Sequence, residues 1–290
     1  MTNESETNGR PKKPVIALMG EFSAGKSTLA NLLLDQDASP VQVTATQLPP
    51  VWYSHGAPKA ERVCQSGMRE PLPLKDWSQV QPDNTEMVSV TSEADFLEAC
   101  DLIDMPGTSD PNMAPDIWER FLPKVDCVIW CTPANQAWRQ SETALWEMVP
   151  PKLWDNSLLL LTRMDKMLTD RDRSRVLLRV KREADALFRD ILPIALRDAI
   201  AAWDDEEAMQ KSGAPQLLSR IGDVLESLDK HPLPTFKPIQ ERRQPAEDVS
   251  VSNADAVTNT DQESRIKIVP RRFVRDPNKS LRSRPEPRAH

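Results

Sequence analysis

The stretch from Gly20 to Ser27 has the residue types and the spacing of a loop that binds phosphate. It reads Gly-Glu-Phe-Ser-Ala-Gly-Lys-Ser and fits the pattern G-x-x-x-x-G-K-[ST] without a substitution. The apolar run 15–19 before it predicts a buried strand, and residues 28–34 have helical periodicity. We therefore expect the loop to join a strand to a helix N-terminus, where free N–H groups and the helix dipole favour an anion.

Two side chains of this loop have specific expected roles toward a nucleoside triphosphate. Lys26 is expected to reach the β- and γ-phosphates, and Ser27 to place its hydroxyl on Mg²⁺. The other residues expected to contact the nucleotide here are Gly20, Glu21, Phe22, Ser23, Ala24, Gly25 and Thr28. The alternative is a glycine turn that matches by chance, and the register between strand and helix argues against it.

A second motif, Asp104-Met105-Pro106-Gly107, follows the apolar residues Leu102 and Ile103. The carboxylate of Asp104 is expected to hold Mg²⁺ through water, and the Gly107 N–H to meet the γ-phosphate. A D-x-x-G string alone is common by chance. At the end of a strand that follows a phosphate loop, it favours a nucleotide site.

A third motif, Thr162-Arg163-Met164-Asp165, follows the apolar run 157–161. Guanine presents N1–H and an exocyclic amine side by side, and one carboxylate accepts both; adenine lacks this pair. Asp165 is therefore predicted to select guanine, with Thr162 and Arg163 also contacting the nucleotide. The alternatives are an aspartate that merely starts a turn, and a site that takes ATP.

The γ-phosphate and Mg²⁺ also need a threonine from the loop before the second strand. Thr46 lies 20 residues after Lys26, and Thr44 is its competitor. Either could instead be an ordinary loop hydroxyl.

Strand-like and helical segments alternate along the chain, which predicts an α/β fold with a mostly parallel central sheet and helices on both faces. Predicted strands are 15–19, 50–55, 87–90, 125–131, 157–162 and 191–196. Predicted helices are 28–34, 93–99, 114–122, 140–148, 170–188 and 215–228.

The composition divides the chain into four parts. Residues 1–13 read as a disordered leader, 14–230 as the folded domain, 231–264 as a disordered linker and 265–290 as a basic tail. The tail carries a net charge of +7 within a chain of net charge −7, so the rest carries −14. Such a tail could bind an anionic membrane surface or an acidic partner, or remain solvated.

Other features narrow the class of protein. No apolar run approaches the length of a membrane span, and the polar N-terminus is unlike a secretory signal, so we expect a cytoplasmic protein, with the tail as a potential peripheral contact to the inner membrane surface. Cys127 and Cys131 lie too far apart along one strand for a disulfide, and buried reduced thiols are expected. Three scattered histidines argue against a metal cluster or a His-based triad.

These motifs resemble those of bacterial dynamin-like proteins, within the translation-factor-like branch of GTPases. The similarity rests on residues 20–28, on 104–108 and on 162–165, and on the 78 residues between Lys26 and Asp104, a gap similar to the dynamin-type insertion. It covers about residues 13–229. The family's stalk has no counterpart in the roughly 60 residues after Asp229, so membrane fission is not expected.

The resemblance implies further roles. Ser23 would help hold a monovalent cation, K⁺ or Na⁺, beside the phosphates, and two domains would dimerise across the nucleotide face. Phe22 stands where dynamins have Gln, and Arg163 replaces their Lys. The residues after the last strand that contact the base are best matched by Ala195 and Leu196.

The sequence thus predicts a nucleotide-dependent switch that binds GTP and hydrolyses it to GDP. Lys26, Ser23 and Thr46 are the residues expected to act in hydrolysis, while Ser27, Thr46 and Asp104 hold Mg²⁺. The alternative is a nucleotide-binding scaffold with little turnover, tethered through its basic tail.

Overall fold

In a computed structural model the described residues are 13–34, 48–74, 77, 80–108, 117–202 and 205–228. They contain nine strands: β1 (Val15–Gly20), β2 (Val51–His55), β3 (Lys59–Cys64), β4 (Arg69–Leu72), β5 (Thr85–Ser92), β6 (Asp101–Asp104), β7 (Cys127–Pro133), β8 (Leu158–Thr162) and β9 (Asp190–Pro193). All nine belong to one sheet in the order β4-β3-β5-β2-β6-β1-β7-β8-β9.

Five of these strands form the parallel half of the sheet, in the order β6-β1-β7-β8-β9. Every residue of β1 and β8 is buried, because helices cover both faces. The predicted mostly parallel α/β sheet is therefore confirmed. The parallel register brings the carboxyl ends of β1, β6 and β8 to one edge, and these ends carry the three motifs.

The described α-helices are α1 (Lys26–Leu34), α2 (Phe96–Ala99), α3 (Ile117–Phe121), α4 (Gln140–Trp146), α5 (Asp170–Ala184), α6 (Leu196–Ala201), α7 (Glu206–Ser212) and α8 (Ala214–Ser227). Two apolar clusters lie on opposite faces of the sheet. Helices α1, α2, α6 and α8 contribute to one cluster, and α3, α4 and α5 to the other. Alternate residues of β1 enter each cluster, Ile16 one and Ala17 the other.

The long gap between the first two motifs holds the rest of the sheet. Strand β2 runs antiparallel to β6, and β3 runs antiparallel to both β4 and β5. The pair β3–β4 was not predicted, because its residues alternate weakly and are mostly charged or polar at the edge. Helices α6 and α7 were also missed.

Some predicted boundaries are wrong. Helix α5 ends at Ala184 rather than at Phe188, because Phe188 turns into the core and Arg189 N–H then bonds Ser157 O to begin pairing with β8. The strand predicted over 191–196 ends at Pro193, since Ala195 N–H bonds Ser212 O instead of continuing the ladder.

The four cysteines, Cys64, Cys100, Cys127 and Cys131, are free and buried, as predicted. No helix among the described residues is long and apolar enough to cross a bilayer. The predictions for residues 1–12, Thr44, Thr46, the linker 231–264 and the tail 265–290 fall outside the described residues.

Candidate nucleotide-binding site

The phosphate loop lies between β1 and α1, with Lys26 as the first residue of the helix. Lys26 is buried, and its Nζ donates to the carbonyl oxygens of Gly20 at 3.1 Å and Glu21 at 2.9 Å. These bonds fold the lysine over the loop. Ser23 and Gly25 adopt positive φ angles of 58° and 98°, so the loop curves tightly ahead of the helix.

Two glycines allow the loop to pack closely against its neighbours. Gly20 has φ +134°, and a Cβ there would lie 2.2 Å from the carbonyl oxygen of Cys131 in β7. A Cβ on Gly107 would lie 2.8 Å from both Cα and N of Phe22. The second motif therefore rests directly on the backbone of the phosphate loop, and the glycine at position 107 has a packing role in addition to its predicted one.

Asp104 and Ser27 meet at the end of β6. The Ser27 hydroxyl donates to Asp104 Oδ2 at 3.0 Å, while Asp104 Oδ1 is buried and has no hydrogen-bond partner among the described residues. Burial raises the pKa of Asp104 to about 6, and Lys26 and Ser27 oppose that shift. A buried oxygen without a donor beside a hydroxyl is the set of hard ligands that Mg²⁺ prefers. The residues present therefore fit the predicted magnesium site.

The third motif continues from the end of β8 and also touches the phosphate loop. The Thr162 hydroxyl donates to Ala24 O at 2.6 Å, and Arg163, at φ 58°, donates to Ser23 O at 2.5 Å. Asp165 lies in a short 3₁₀ turn (Met164–Lys166), with its side chain 13% exposed and Lys166 Nζ 3.7 Å away. Asp165 is thus the middle residue of this turn and also lines the pocket.

One pocket of about 380 Å³ brings the motifs together. The predicted residues that line it are Phe22, Ser23, Gly25, Lys26, Ser27, Thr28, Asp104, Gly107, Thr162, Arg163, Asp165 and Leu196. Gly20, Glu21, Ala24 and Ala195 do not line it. A volume of this size is within the range for small-ligand sites. Phe22 is 53% exposed, at the surface of the pocket.

Sequence reasoning missed several lining residues: Leu48, Pro49, Val51, Met105, Pro106, Lys166 and Arg197. Most of these residues lie within or next to a predicted motif, and that position in the sequence could have identified them. Arg197 lies in the first turn of α6, a helix that was not predicted. Three further cationic residues line the same pocket: Lys26, Arg163 and Lys166.

Glu21 turns away from the pocket toward the start of α4. Its carboxylate pairs with the Arg139 guanidinium, and Ser141 Oγ lies 3.5 Å from Glu21 Oε1. That Glu21 contacts the nucleotide stays a prediction. Its side chain instead ties the phosphate loop to α4, a contact between residues more than 100 positions apart.

A phosphate loop at the end of β1, facing Asp104 at the end of β6 and Asp165 after β8, defines a P-loop GTPase fold. A solved structure described as an oligomerised bacterial dynamin pair, with a mechanism for long-range sensing and tethering of membranes, is similar in fold. It matches with a TM-score of 0.53 and 22% identity over 76% of this chain and 35% of that one.

Residues 16–153 match the family model for the dynamin family. Isoniazid-induced protein IniC of Mycobacterium tuberculosis is 31% identical over 132 residues, which are 40% of this chain and 26% of IniC. Dynamin-like protein 2 of Campylobacter jejuni is 26% identical over 220 residues, 74% of this chain and 35% of that protein. Residues 16–153 are therefore similar to the dynamin family, and the described residues have a P-loop GTPase fold. The chain spans about a quarter to a third of the length of these relatives.

Proposed function

We propose that this G domain binds GTP and hydrolyses it to GDP and phosphate, as a nucleotide-dependent switch of the dynamin-like type. The observation that carries the proposal is the single pocket in which Lys26, the Ser27–Asp104 pair and Asp165 converge. Each group matches one part of the ligand: the phosphates, the metal ion and the guanine edge, respectively.

The chain's own residues bind and orient the reactants. Lys26 leaves the carbonyls of Gly20 and Glu21 to reach the phosphates, and the loop N–H groups stabilise charge on the oxygens. Ser27 and Asp104 hold Mg²⁺, which supplies further neutralisation of phosphate charge when bound. Asp165 fixes the base, so that water attacks the γ-phosphate in line.

Four further parts belong to the proposal: the monovalent cation and the dimer come from the family resemblance, and the roles of Gly107 and Thr46 come from the motifs. Ser23 holds K⁺ or Na⁺ beside the phosphates, and Gly107 meets the γ-phosphate through its N–H. Thr46, with Thr44 as the alternative, contacts the γ-phosphate and Mg²⁺. Two domains dimerise across the nucleotide face, where the exposed Phe22 lies.

Phosphate release tests hydrolysis directly. The protein is incubated with GTP, Mg²⁺ and K⁺, and a Lys26→Ala variant serves as the control. The proposal expects release from the wild type at least tenfold above the variant, a loss of the size seen when one stabilising group is removed. Equal release by the two proteins would remove the enzyme claim.

The second candidate function is a nucleotide-binding scaffold with little turnover. Phe22 favours it, because this aromatic side chain replaces the Gln that dynamins use near the attacking water. Tight GTP binding without phosphate release above the Lys26→Ala level, with and without K⁺, would select this function over the first.

We also propose that the basic tail 265–290 attaches the protein to the inner membrane surface. The protein is then cytoplasmic, in peripheral contact with that surface. Each Lys or Arg near an anionic lipid surface contributes about 1 kcal/mol, so nine are sufficient for salt-sensitive binding. Deletion of 265–290 is expected to abolish sedimentation with anionic vesicles. If the deletion leaves sedimentation unchanged, the tail does not bind the lipid surface. An acidic protein partner is then the ligand proposed for the tail.

A further inference from the structure

A carboxylate lies fully buried beside the tryptophan-rich core of the sheet's second face. Glu142, in the first turn of α4, is 0% exposed. It accepts three hydrogen bonds, from Trp130 Nε1 at 3.1 Å, from Thr132 Oγ1 at 2.9 Å and from the Arg139 N–H at 3.1 Å. All three partners are donors, and both side-chain oxygens of Glu142 act as acceptors, Oε1 for one bond and Oε2 for two.

Two of these hydrogen bonds connect Glu142 to the phosphate loop through intermediate residues. The N–H bond fixes the backbone of Arg139, whose guanidinium pairs with Glu21. The bond to Thr132 orients the end of β7, where the carbonyl oxygen of Thr132 lies 3.4 Å from the Thr162 hydroxyl oxygen. That hydroxyl donates its one proton to Ala24 O at 2.6 Å, so Thr162 lies between the end of β7 and the phosphate loop. Glu142 thus connects to the loop at both Glu21 and Ala24.

The backbone between these bonds is strained. Trp138 has φ 54°, a left-handed conformation that a bulky residue rarely adopts. Its N–H donates to Thr132 Oγ1 at 3.1 Å, and its ring packs edge-on against Trp130 and Phe188. A strained conformation persists where its surroundings fix it, and here the Glu142–Thr132 pair and the aromatic rings do so.

We infer that Glu142 is a positioning residue for the phosphate loop, acting through Arg139 on Glu21 and through Thr132 and Thr162 on Ala24. It touches neither phosphate nor metal. Its effect is to fix the start of α4, and so the direction from which Arg139 restrains the loop. The inference deepens the proposed function, because it requires that this loop bind a nucleotide.

The test is a double-mutant cycle on GTP affinity. Glu142→Gln keeps the shape but places an amide donor against Trp130 Nε1–H or against the pair of donors at Oε2. Arg139→Gln breaks the pair with Glu21 at a partly exposed position, where the substitution is expected to preserve the fold. Ser157→Ala is the matched control, since this buried hydroxyl bonds Val128 N and Leu153 O at the opposite end of β8.

Dissociation constants for Mg·GTP are measured well below each variant's unfolding midpoint. Glu142→Gln and Arg139→Gln are each expected to weaken GTP binding by about tenfold. A loss of this size is within the range for residues that couple to a distant site. The double variant is expected to bind no more than about twofold more weakly than Glu142→Gln alone, because Glu142→Gln already disrupts the connection through Arg139. Ser157→Ala is expected to lower stability and to leave GTP affinity unchanged.

Two results would overturn the inference while leaving GTP binding in place. One is a Glu142→Gln variant that lowers the unfolding midpoint but binds GTP like Ser157→Ala. The other is full additivity of the two single effects, which would mean that Arg139 and Glu142 act independently. Absence of GTP binding by the wild type would instead refute the proposed function.

Discussion

The Ser27 hydroxyl donates a 3.0 Å hydrogen bond to Asp104 Oδ2 and so joins the start of α1 to the end of β6 across 77 positions of sequence. The other carboxylate oxygen of Asp104 is buried and has no hydrogen-bond partner among the described residues. Two of the three predicted metal-binding side chains, Ser27 and Asp104, are thus adjacent.

Replacement of Ser27 by Ala is expected to weaken GTP binding about 10- to 100-fold in Mg²⁺, the usual range for loss of a supporting group at a metal site. In EDTA the variant and the wild type are expected to differ little, because the hydroxyl then has no metal to bind. Titrations with and without Mg²⁺ measure both affinities. Ser174→Ala, on the exposed side of α5, is the control. A loss that is equally large in EDTA would contradict a metal-binding role.

Stability of the nucleotide-free protein should fall as pH rises through the range set by Asp104. The folded-state pKa of about 6 lies above the ordinary 3.8, so between these values the folded state holds a proton that the unfolded chain has released. Ionisation of the buried Asp104 therefore lowers the free energy of unfolding. This loss is absent below about pH 4 and complete above about pH 6, where it is roughly 2 to 3 kcal/mol.

Asp104→Asn removes this titration. Urea unfolding of both proteins at pH 4 and pH 7 should show that the variant gains stability relative to the wild type as pH rises. If the difference in free energy of unfolding between the two proteins does not depend on pH, burial does not raise the pKa of Asp104.

The two glycines Gly20 and Gly67 both have positive φ, at +134° and +81°, but differ in their surroundings. A Cβ at position 67 meets nothing within 4 Å, so Gly67→Ala is expected to cost only the backbone strain, about 1 kcal/mol. Gly20→Ala adds a clash with the Cys131 carbonyl and should exceed about 3 kcal/mol. Thermal unfolding compares them, and equal losses would contradict the close approach of the loop to β7.

Asp165 is expected to determine which base the site prefers. Asp165→Asn is expected to reduce the preference for GTP over ATP by about tenfold or more, since the charge-assisted pair with N1–H and the exocyclic amine is lost. Inosine triphosphate, which lacks that amine, should bind the wild type more weakly than GTP, and the variant should discriminate less between the two. An unchanged preference for GTP over ATP would make the guanine assignment wrong.

The motifs could be placed from sequence because each combines a buried strand with residues at its carboxyl end. Val15–Gly20 and Leu158–Thr162 are almost wholly apolar, and a parallel sheet then brings Lys26, Asp104 and Asp165 to one edge. In such cases local pattern and global fold agree. Helix α8 was found for the same reason, because its apolar face is continuous.

Other parts depended on tertiary contacts that have no local signal. The β3–β4 pair is charged and lies at the sheet edge, and α6 begins where Ala195 bonds to Ser212. Glu142 reads in sequence as an acidic residue in the first turn of an exposed helix, which the helix dipole alone would explain. Only the folded chain reveals its burial beside Trp130 and its route to Glu21.

The most direct test of the central claim is a binding titration of GTP, GDP and ATP against the wild type and Lys26→Ala, in Mg²⁺. The account predicts that GTP and GDP bind the wild type, that ATP binds at least about tenfold more weakly, and that Lys26→Ala loses most of the affinity for GTP. Equal affinity for ATP and GTP, or GTP binding that is unaffected by Lys26→Ala, would contradict it.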